Sequence, residues 1–157
     1  MAINYGKKFE TKFKEDFKKT VPECSIDRLY DPTNGFIAIK NVCDFIGYSY
    51  PNIFYLETKS HHGNTFPLTN LSQYDKLSCK VGIKGVRAGV VLWFIDHDCV
   101  WYIPISTISQ MKKDGKKSVN VLSDVKAGYR IIEVPSKKKR VFLDSDYSVL
   151  LNLKEGE

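Results

Sequence analysis

Phenylalanines recur every four residues near the start of the chain, at Phe9, Phe13 and Phe17, with lysines covering much of the rest. That spacing puts one apolar stripe on a helix and predicts an amphipathic helix over 3–19. Val21-Pro22 ends it, because the residue before a proline is driven out of the helical region. Residues 26–40 read as loop, marked by Asp31-Pro32 and Asn34-Gly35. Two apolar runs, 42–46 and 53–58, then flank a segment containing Gly47 and Pro51, which predicts a hairpin. After a connection over 60–68, Thr69 or Asn70 is expected to cap a helix to about Val81, with Leu71, Tyr74 and Leu77 as its stripe. The strongly apolar segments 86–95 and 99–105 predict a second hairpin around Asp96-His97-Asp98, at the centre of the sheet. A short helix is expected at 106–111, after Pro104. Strands at 129–134 and 139–143 are expected around a turn at 136–138, and Asp144 is expected to cap a last helix ending near Leu153.

This order makes an α/β chain, a mixed sheet flanked by helices, in a single domain over 1–157 without internal repeats. Composition narrows the class. The 157 residues are 43% hydrophobic and 27% charged, which excludes disorder, collagen and coiled coil. The longest apolar run, 88–95, is far below the ~18 residues of a membrane span, so no membrane partner is expected. Residues 1–8 lack the apolar stretch of a signal peptide. The four cysteines, Cys24, Cys43, Cys79 and Cys99, form no C-x-x-C pair and fit no zinc spacing. They are expected to be reduced thiols of a cytoplasmic protein.

The net charge of +6 is unevenly spread. Residues 112–140 hold ten Lys/Arg against three acids, residues 1–20 carry a further +3, and the remainder is negative. A basic rim around a mildly acidic middle suits a polyanion held near carboxylates. A solvated basic face is the alternative reading of the same charges.

The candidate chemistry lies between Asp44 and Lys59. Asp44 stands between Cys43 and Phe45 in an apolar run, and Glu57 and Lys59 are two residues apart in the next. Strand side chains alternate, so Glu57 and Lys59 share a face with Ile53 and Tyr55, their Cα atoms roughly 6.5 Å apart. Charges inside an apolar strand cost several kcal/mol unless paired or metal-bound. Two converging carboxylates attract Mg²⁺ or Mn²⁺, and a lysine beside them stabilises a charged transition state. A Glu57–Lys59 salt bridge at a strand end, with Asp44 in a turn, is the plainer alternative. Glu10, about 100° around the helix from Phe9, sits at the edge of the buried face, able to point toward a cleft.

Asp44, followed thirteen residues on by Glu57-Thr58-Lys59, resembles the D-(x)n-(D/E)-x-K signature of the PD-(D/E)xK nuclease superfamily. More specifically, residues 3–123 resemble RecU-type Holliday junction resolvases, in a short phage-encoded form. The matching pieces are Gly6-Lys7-Lys8-Phe9-Glu10, Cys43-Asp44-Phe45, Tyr55-Leu56-Glu57-Thr58-Lys59-Ser60 and Gly63-Asn64-Thr65-Phe66-Pro67-Leu68, with Gln73 and Ala88-Gly89. The resemblance implies a restriction-endonuclease-like mixed sheet flanked by helices. It implies that Asp44 and Glu57 hold the metal and that Lys59 is the catalytic lysine. It makes Glu10 an additional metal ligand or water-mediated acid and Gln73 a polar helper at the rim. It also implies a homodimer whose two sites cut opposed strands of a four-way DNA junction, inside a bacterial host cell. Two features depart from the family. Cys43 replaces the proline often found before the first aspartate, and the stretch 28–41, where the family carries a projecting stalk, is short.

The expected function is thus metal-dependent hydrolysis of branched DNA. Its competitors are another nuclease of the fold, such as a nickase, a restriction-like enzyme or an exonuclease, and a catalytically silent DNA-binding recombination accessory protein. Lys7, Lys8 and the run Lys137-Lys138-Lys139-Arg140 are the expected phosphate contacts. Tyr48 and Tyr50 are candidates for stacking on an unpaired base. His61 and His62 are read as backbone contacts or exposed residues, His97 as solvated, and Trp93 and Trp101 as core.

Overall fold

The computed structural model describes residues 3–30 and 40–157. The Asn4 side chain accepts the Lys7 backbone N–H at 3.1 Å and opens helix α1, Tyr5–Thr20, which therefore starts two residues later than the Phe spacing alone suggests. It ends at Val21, whose backbone is extended. Strand β1, Cys24–Arg28, replaces the first part of the expected loop. Cys24 and Ile26 alternate with the exposed Ser25 and Asp27, but with one fully buried position in five residues the alternation is too short to stand out. The turn signals Asp31-Pro32 and Asn34-Gly35, and most of the stretch 28–41, lie outside the described residues.

The first hairpin is present as β2, Phe45–Ser49, and β3, Asn52–His61, paired from Phe45↔Leu56 to Ser49↔Asn52. β4, Thr65–Pro67, leads into a single 3-10 turn at Leu68–Asn70. The long helix expected to 81 shrinks to α2, Tyr74–Ser78. Leu71 leaves helical geometry and turns into the core beside Leu68, splitting the expected helix in two. β5, Val86–Phe94, and β6, Cys99–Pro104, form the second hairpin, and α3, Ile105–Lys113, follows Pro104. β7, Ser118–Asn120, pairs with β4.

The C-terminal third differs most from expectation. β8, Ile132–Val134, joins β6, whereas the expected turn at 136–138 is itself strand β9, Ser136–Lys138, paired with β10, Leu143–Ser145. The turn lies at 139–142, closed by the Lys139 N–H on the Phe142 carbonyl at 2.8 Å. All three β9 residues are exposed, so a two-residue period never develops there. The last helix is a 3-10 turn, Tyr147–Asn152, capped by Asp146 through the Ser148 N–H rather than by Asp144. Asp144 instead accepts from Lys12 at 2.6 Å.

The main sheet runs β1-β2-β3-β5-β6-β8. Only β3 and β5 pair in parallel; the other neighbours are antiparallel. Each face buries its own core. Phe9, Phe13 and Phe17 of α1 meet Phe54, Leu56, Val91, Trp93, Tyr102 and Tyr147 on one side. Leu77 of α2 and Ile105, Ile108 and Met111 of α3 meet Ala88, Val90 and Leu92 on the other. Burying a phenylalanine contributes roughly 1.5–3 kcal/mol, so the stripe on α1 is the main fastening of that layer. Among the described residues no helix is long and apolar enough to cross a membrane.

Gly89 is a close-approach position, since a Cβ there would lie 2.3 Å from the buried Tyr102 ring. The ring cannot retreat without opening the core. Gly89→Ala is therefore expected to destabilise the fold by about 1–3 kcal/mol, the usual cost of overpacking, as a lowered urea midpoint with unchanged slope.

Candidate active site

Strand β3 alternates as expected. Phe54 and Leu56 enter the α1-side core, and the intervening Tyr55 packs against the other. Glu57 and Lys59 project on the Tyr55 side, where Glu57 has 0% exposure. Asp44 stands one residue before β2, at the mouth of the hairpin rather than within the strand. Continuing the register past Phe45↔Leu56 sets it beside Glu57. One oxygen of Asp44, Oδ2, accepts from the Thr58 N–H at 2.8 Å and from the Thr58 hydroxyl at 2.9 Å. The residue between the two charged positions of β3 thus orients the first acid, a role that strand alternation alone conceals.

Glu57 is held very differently. Lys59 Nζ approaches Oε1 to 2.8 Å, but neither carboxylate oxygen receives a well-directed hydrogen bond. Burial, and then the Asp44 charge, push Glu57 up to about 7, with Lys59 pulling the other way. The same burial, with the Glu57 charge behind it, pushes the Cys43 thiol up to about 12, so this cysteine is inert. Glu10 faces the same region from α1. Burial raises its pKa, the Arg28 guanidinium opposes that, and Asp44 adds to it.

Asp44, Glu57 and Lys59 are brought together at one end of the β2–β3 hairpin. Glu10 lies near them electrostatically, but its carboxylate is engaged by Arg28, a residue no sequence motif singled out. Among the described residues, no three His, Cys, Asp or Glu side chains converge as a ready-made metal cluster. The donor set nevertheless fits a hard cation. It offers two adjacent carboxylates, one with both oxygens buried and only Oε1 faced by Lys59, the other with Oδ2 alone occupied. Gln73 precedes α2, where its side-chain oxygen accepts from Ser72 at 2.9 Å. Among the described residues it shares no hydrogen bond with Asp44, Glu57 or Lys59.

The remaining candidates separate by environment. His61 packs edge-on against Phe66 and Phe94, and His62 pairs with Asp96 at 3.0 Å. His97 contacts Asn64. Trp93 is core, whereas Trp101 is half-buried and donates to Cys99 Sγ at 3.1 Å. All four cysteines are free. Lys7 and Lys8 are exposed on the first turns of α1, and Tyr48 and Tyr50 are exposed around the first hairpin turn. In the basic run, Lys138 pairs with Asp98 at 2.6 Å and Lys139 with Asp144 at 3.7 Å.

A family model described as Recombination protein U matches residues 10–144. No curated protein sequence matches the chain. Among solved structures, the chain is similar to Hjc, a Holliday junction resolvase from the archaeal hyperthermophile Archaeoglobus fulgidus. The TM-score is 0.58 at 14% identity, over 82% of this chain and 95% of that one. The likeness establishes the restriction-endonuclease-like fold.

The raised Glu57 has a sign that can be measured. In the metal-free protein the folded state binds its proton more tightly than the unfolded chain does. Stability therefore falls as pH rises from about 4.5 through about 7 and levels off above. Glu57→Gln removes this loss. The variant is expected to exceed the parent in stability at pH 8 by roughly 3 kcal/mol, with the gap closing toward pH 5, in chelator-treated urea titrations.

Proposed function

The chain belongs to the Recombination protein U family, and we propose from this that it resolves four-way DNA junctions by divalent-metal-dependent hydrolysis of the phosphodiester backbone. Family membership makes it an endonuclease; the metal, the substrate geometry and the residue roles are our reading. The observation that carries it is the buried, unsolvated Glu57 carboxylate beside Asp44 and Lys59. A binding module gains nothing from two acids facing phosphate.

Asp44 and Glu57 would hold Mg²⁺ or Mn²⁺, which when bound supplies an acidified water and a counter-charge for the phosphate. Thr58 fixes Asp44 from both its amide and its hydroxyl, so the first acid is positioned before any substrate arrives. Lys59, 27% exposed, spans from the buried carboxylate to solvent and carries its ammonium to where a phosphate enters. There it stabilises the negative charge that grows in the transition state. Glu10 serves as an additional acid at the rim, its charge balanced in the free enzyme by Arg28. Lys7, Lys8 and the run Lys137–Arg140 contact the backbone phosphates. Symmetric cuts in opposed strands need two sites at a fixed separation, which a two-fold homodimer supplies.

The deciding experiment incubates a synthetic four-way junction and linear duplex of the same sequence with Mg²⁺ and with chelator. Symmetric cleavage of the junction that chelator abolishes is the expected result; metal-independent or absent cleavage rejects the reading. Asp44→Asn and Glu57→Gln are expected to abolish cleavage yet retain junction binding, because affinity comes from Lys and Arg contacts to phosphate. Lys59→Ala is expected to lose most of kcat with little change in affinity, and Lys59→Arg to recover only part, since a planar fork does not replace a compact ammonium.

A further inference from the structure

Glu10 and Arg28 stand beside the candidate active site on firmly held backbone. Tyr5, at the start of α1, lies against Trp93 and Phe142, whose rings also meet each other. Farther along, the buried Asp16 accepts the Ser145 N–H at 2.9 Å, which ties the helix to β10. Arg28 ends β1 opposite Phe45, and the N–H of the next residue, Leu29, donates to the Asp44 carbonyl at 2.7 Å. Arg28 and the first acid are thereby held side by side. Movement is left to the side chains of the pair, and both reach the surface: the Glu10 side chain is 19% exposed and that of Arg28 28%.

Glu10 is within reach of the site it would serve, because Asp44 and Lys59 both act on its charge. Arg28 stands in the way. Its guanidinium occupies the Glu10 carboxylate and repels any cation brought to Asp44 and Glu57. With Glu57 ionised, the three acids and Lys59 sum to −2, which a divalent cation balances; Arg28 reduces that to −1. Beyond the pair, a cleft of about 270 Å³ runs along α1, with Lys14, Glu15, Lys18 and Tyr30 on its walls. Lys14 and Lys18 follow Glu10 at successive turns and have no partner among the described residues. The centre of the Tyr30 ring lies 5.1 Å from the guanidinium, a second resting place for it on the cleft side. A phosphate in this cleft meets three cations, and a guanidinium takes phosphate oxygens in the same two-pronged way as it takes a carboxylate. A partly exposed ion pair costs little to break.

We propose that Arg28 is an exchangeable counter-ion: in the free protein it holds Glu10 back from the metal, and when a backbone phosphate of DNA enters the cleft it passes to that phosphate, so that Glu10 joins Asp44 and Glu57 around the cation. This inference rests on the metal-dependent nuclease reading and adds a coupling to it. Arg28 is a positioning residue, and its partner depends on whether DNA is present. By linkage, DNA and metal then tighten each other's binding by one common factor. The free protein holds its cation weakly, and the third acid is recruited on DNA. Any DNA supplies the phosphate, so the exchange itself does not discriminate branched from linear substrate.

The test has two arms. In the first, Mn²⁺ is titrated calorimetrically into the DNA-free protein. Arg28→Gln frees Glu10 and is expected to bind Mn²⁺ about fivefold or more tightly than wild type, a gain that a misfolded variant could not show. Adding Glu10→Gln is expected to remove the gain. Arg28→Lys keeps a cation beside Glu10 and is expected to stay within about twofold of wild type. In the second arm, fluorescence anisotropy measures affinity for a synthetic four-way junction with and without Mn²⁺ at constant ionic strength, in a Lys59→Ala background where cleavage is slow. Mn²⁺ is expected to tighten binding by about fivefold or more in that background, and by less than about twofold once Arg28→Gln or Glu10→Gln is added. An Arg28→Gln protein that binds Mn²⁺ no better than wild type overturns the exchange alone, and Arg28 is then a structural partner of Glu10. So does a gain in Arg28→Lys equal to that in Arg28→Gln, or a Mn²⁺ effect on junction affinity that survives both substitutions. Mn²⁺ binding that Asp44→Asn and Glu57→Gln leave unchanged overturns the metal-site reading and the exchange with it.

Discussion

A carboxylate with no exposed surface, faced by one lysine ammonium at 2.8 Å, must be held in place by everything around it. Glu57 is such a group. Its strand is central, paired in parallel with β5 on one side and antiparallel with β2 on the other. Phe54 and Leu56 anchor the opposite face against α1, so β3 cannot rotate the acid into solvent without withdrawing both from the core. Asp44 cannot retreat either, because the Thr58 amide and hydroxyl hold it. The hydrophobic core thus supports two carboxylates at a separation their repulsion disfavours. That repulsion adds to the cost of charging Glu57 and so links the stability of the protein to pH.

The elements that were legible in the sequence are those whose side chains obey one periodicity. The Phe9–Phe13–Phe17 stripe and the runs around Val90 and Ile103 are buried where their spacing places them. Asp44, Glu57 and Lys59 stood out for the converse reason, as charges interrupting apolar runs. Other features were hidden because their period is too short or absent. β1 buries Ile26 alone, and β9 buries none of its three residues. Leu71 reads as one position of a helical stripe but is buried from a non-helical backbone. Thr58 and Arg28 act on the site through contacts that exist only after folding, and neither residue type signals such a role. Gln73 matches by its place in the chain, and its side chain accepts from the neighbouring Ser72.

Charge is distributed by pairing as much as by sequence. The basic surplus in the C-terminal half suggests a uniform positive surface, but several of its cations are partnered. Lys116 lies 2.7 Å from the buried Asp124, and Arg130 holds Glu157 at 2.6 Å. The Arg130 pair lies at the surface and contributes little to stability, whereas releasing Lys116 would leave the buried Asp124 uncompensated and costs more. Both pairs lower the field that unpaired lysines would project over linear DNA.

The bond from Ser145 to Asp16 spans 129 residues, and that from Tyr147 to Thr20 spans 127. During translation, α1 and the hairpin bearing both acids emerge first. At ordinary synthesis rates the residues that lock α1 follow on the order of ten seconds later. In that interval the buried Asp16 lacks its Ser145 donor, and Trp93 lacks the Phe142 ring that will cover it. A nascent chain therefore carries Asp44 and Glu57 beside a helix that is not yet fastened. The α1 layer gains these two bonds only once residues 145–147 have been made, long after its own stripe of phenylalanines.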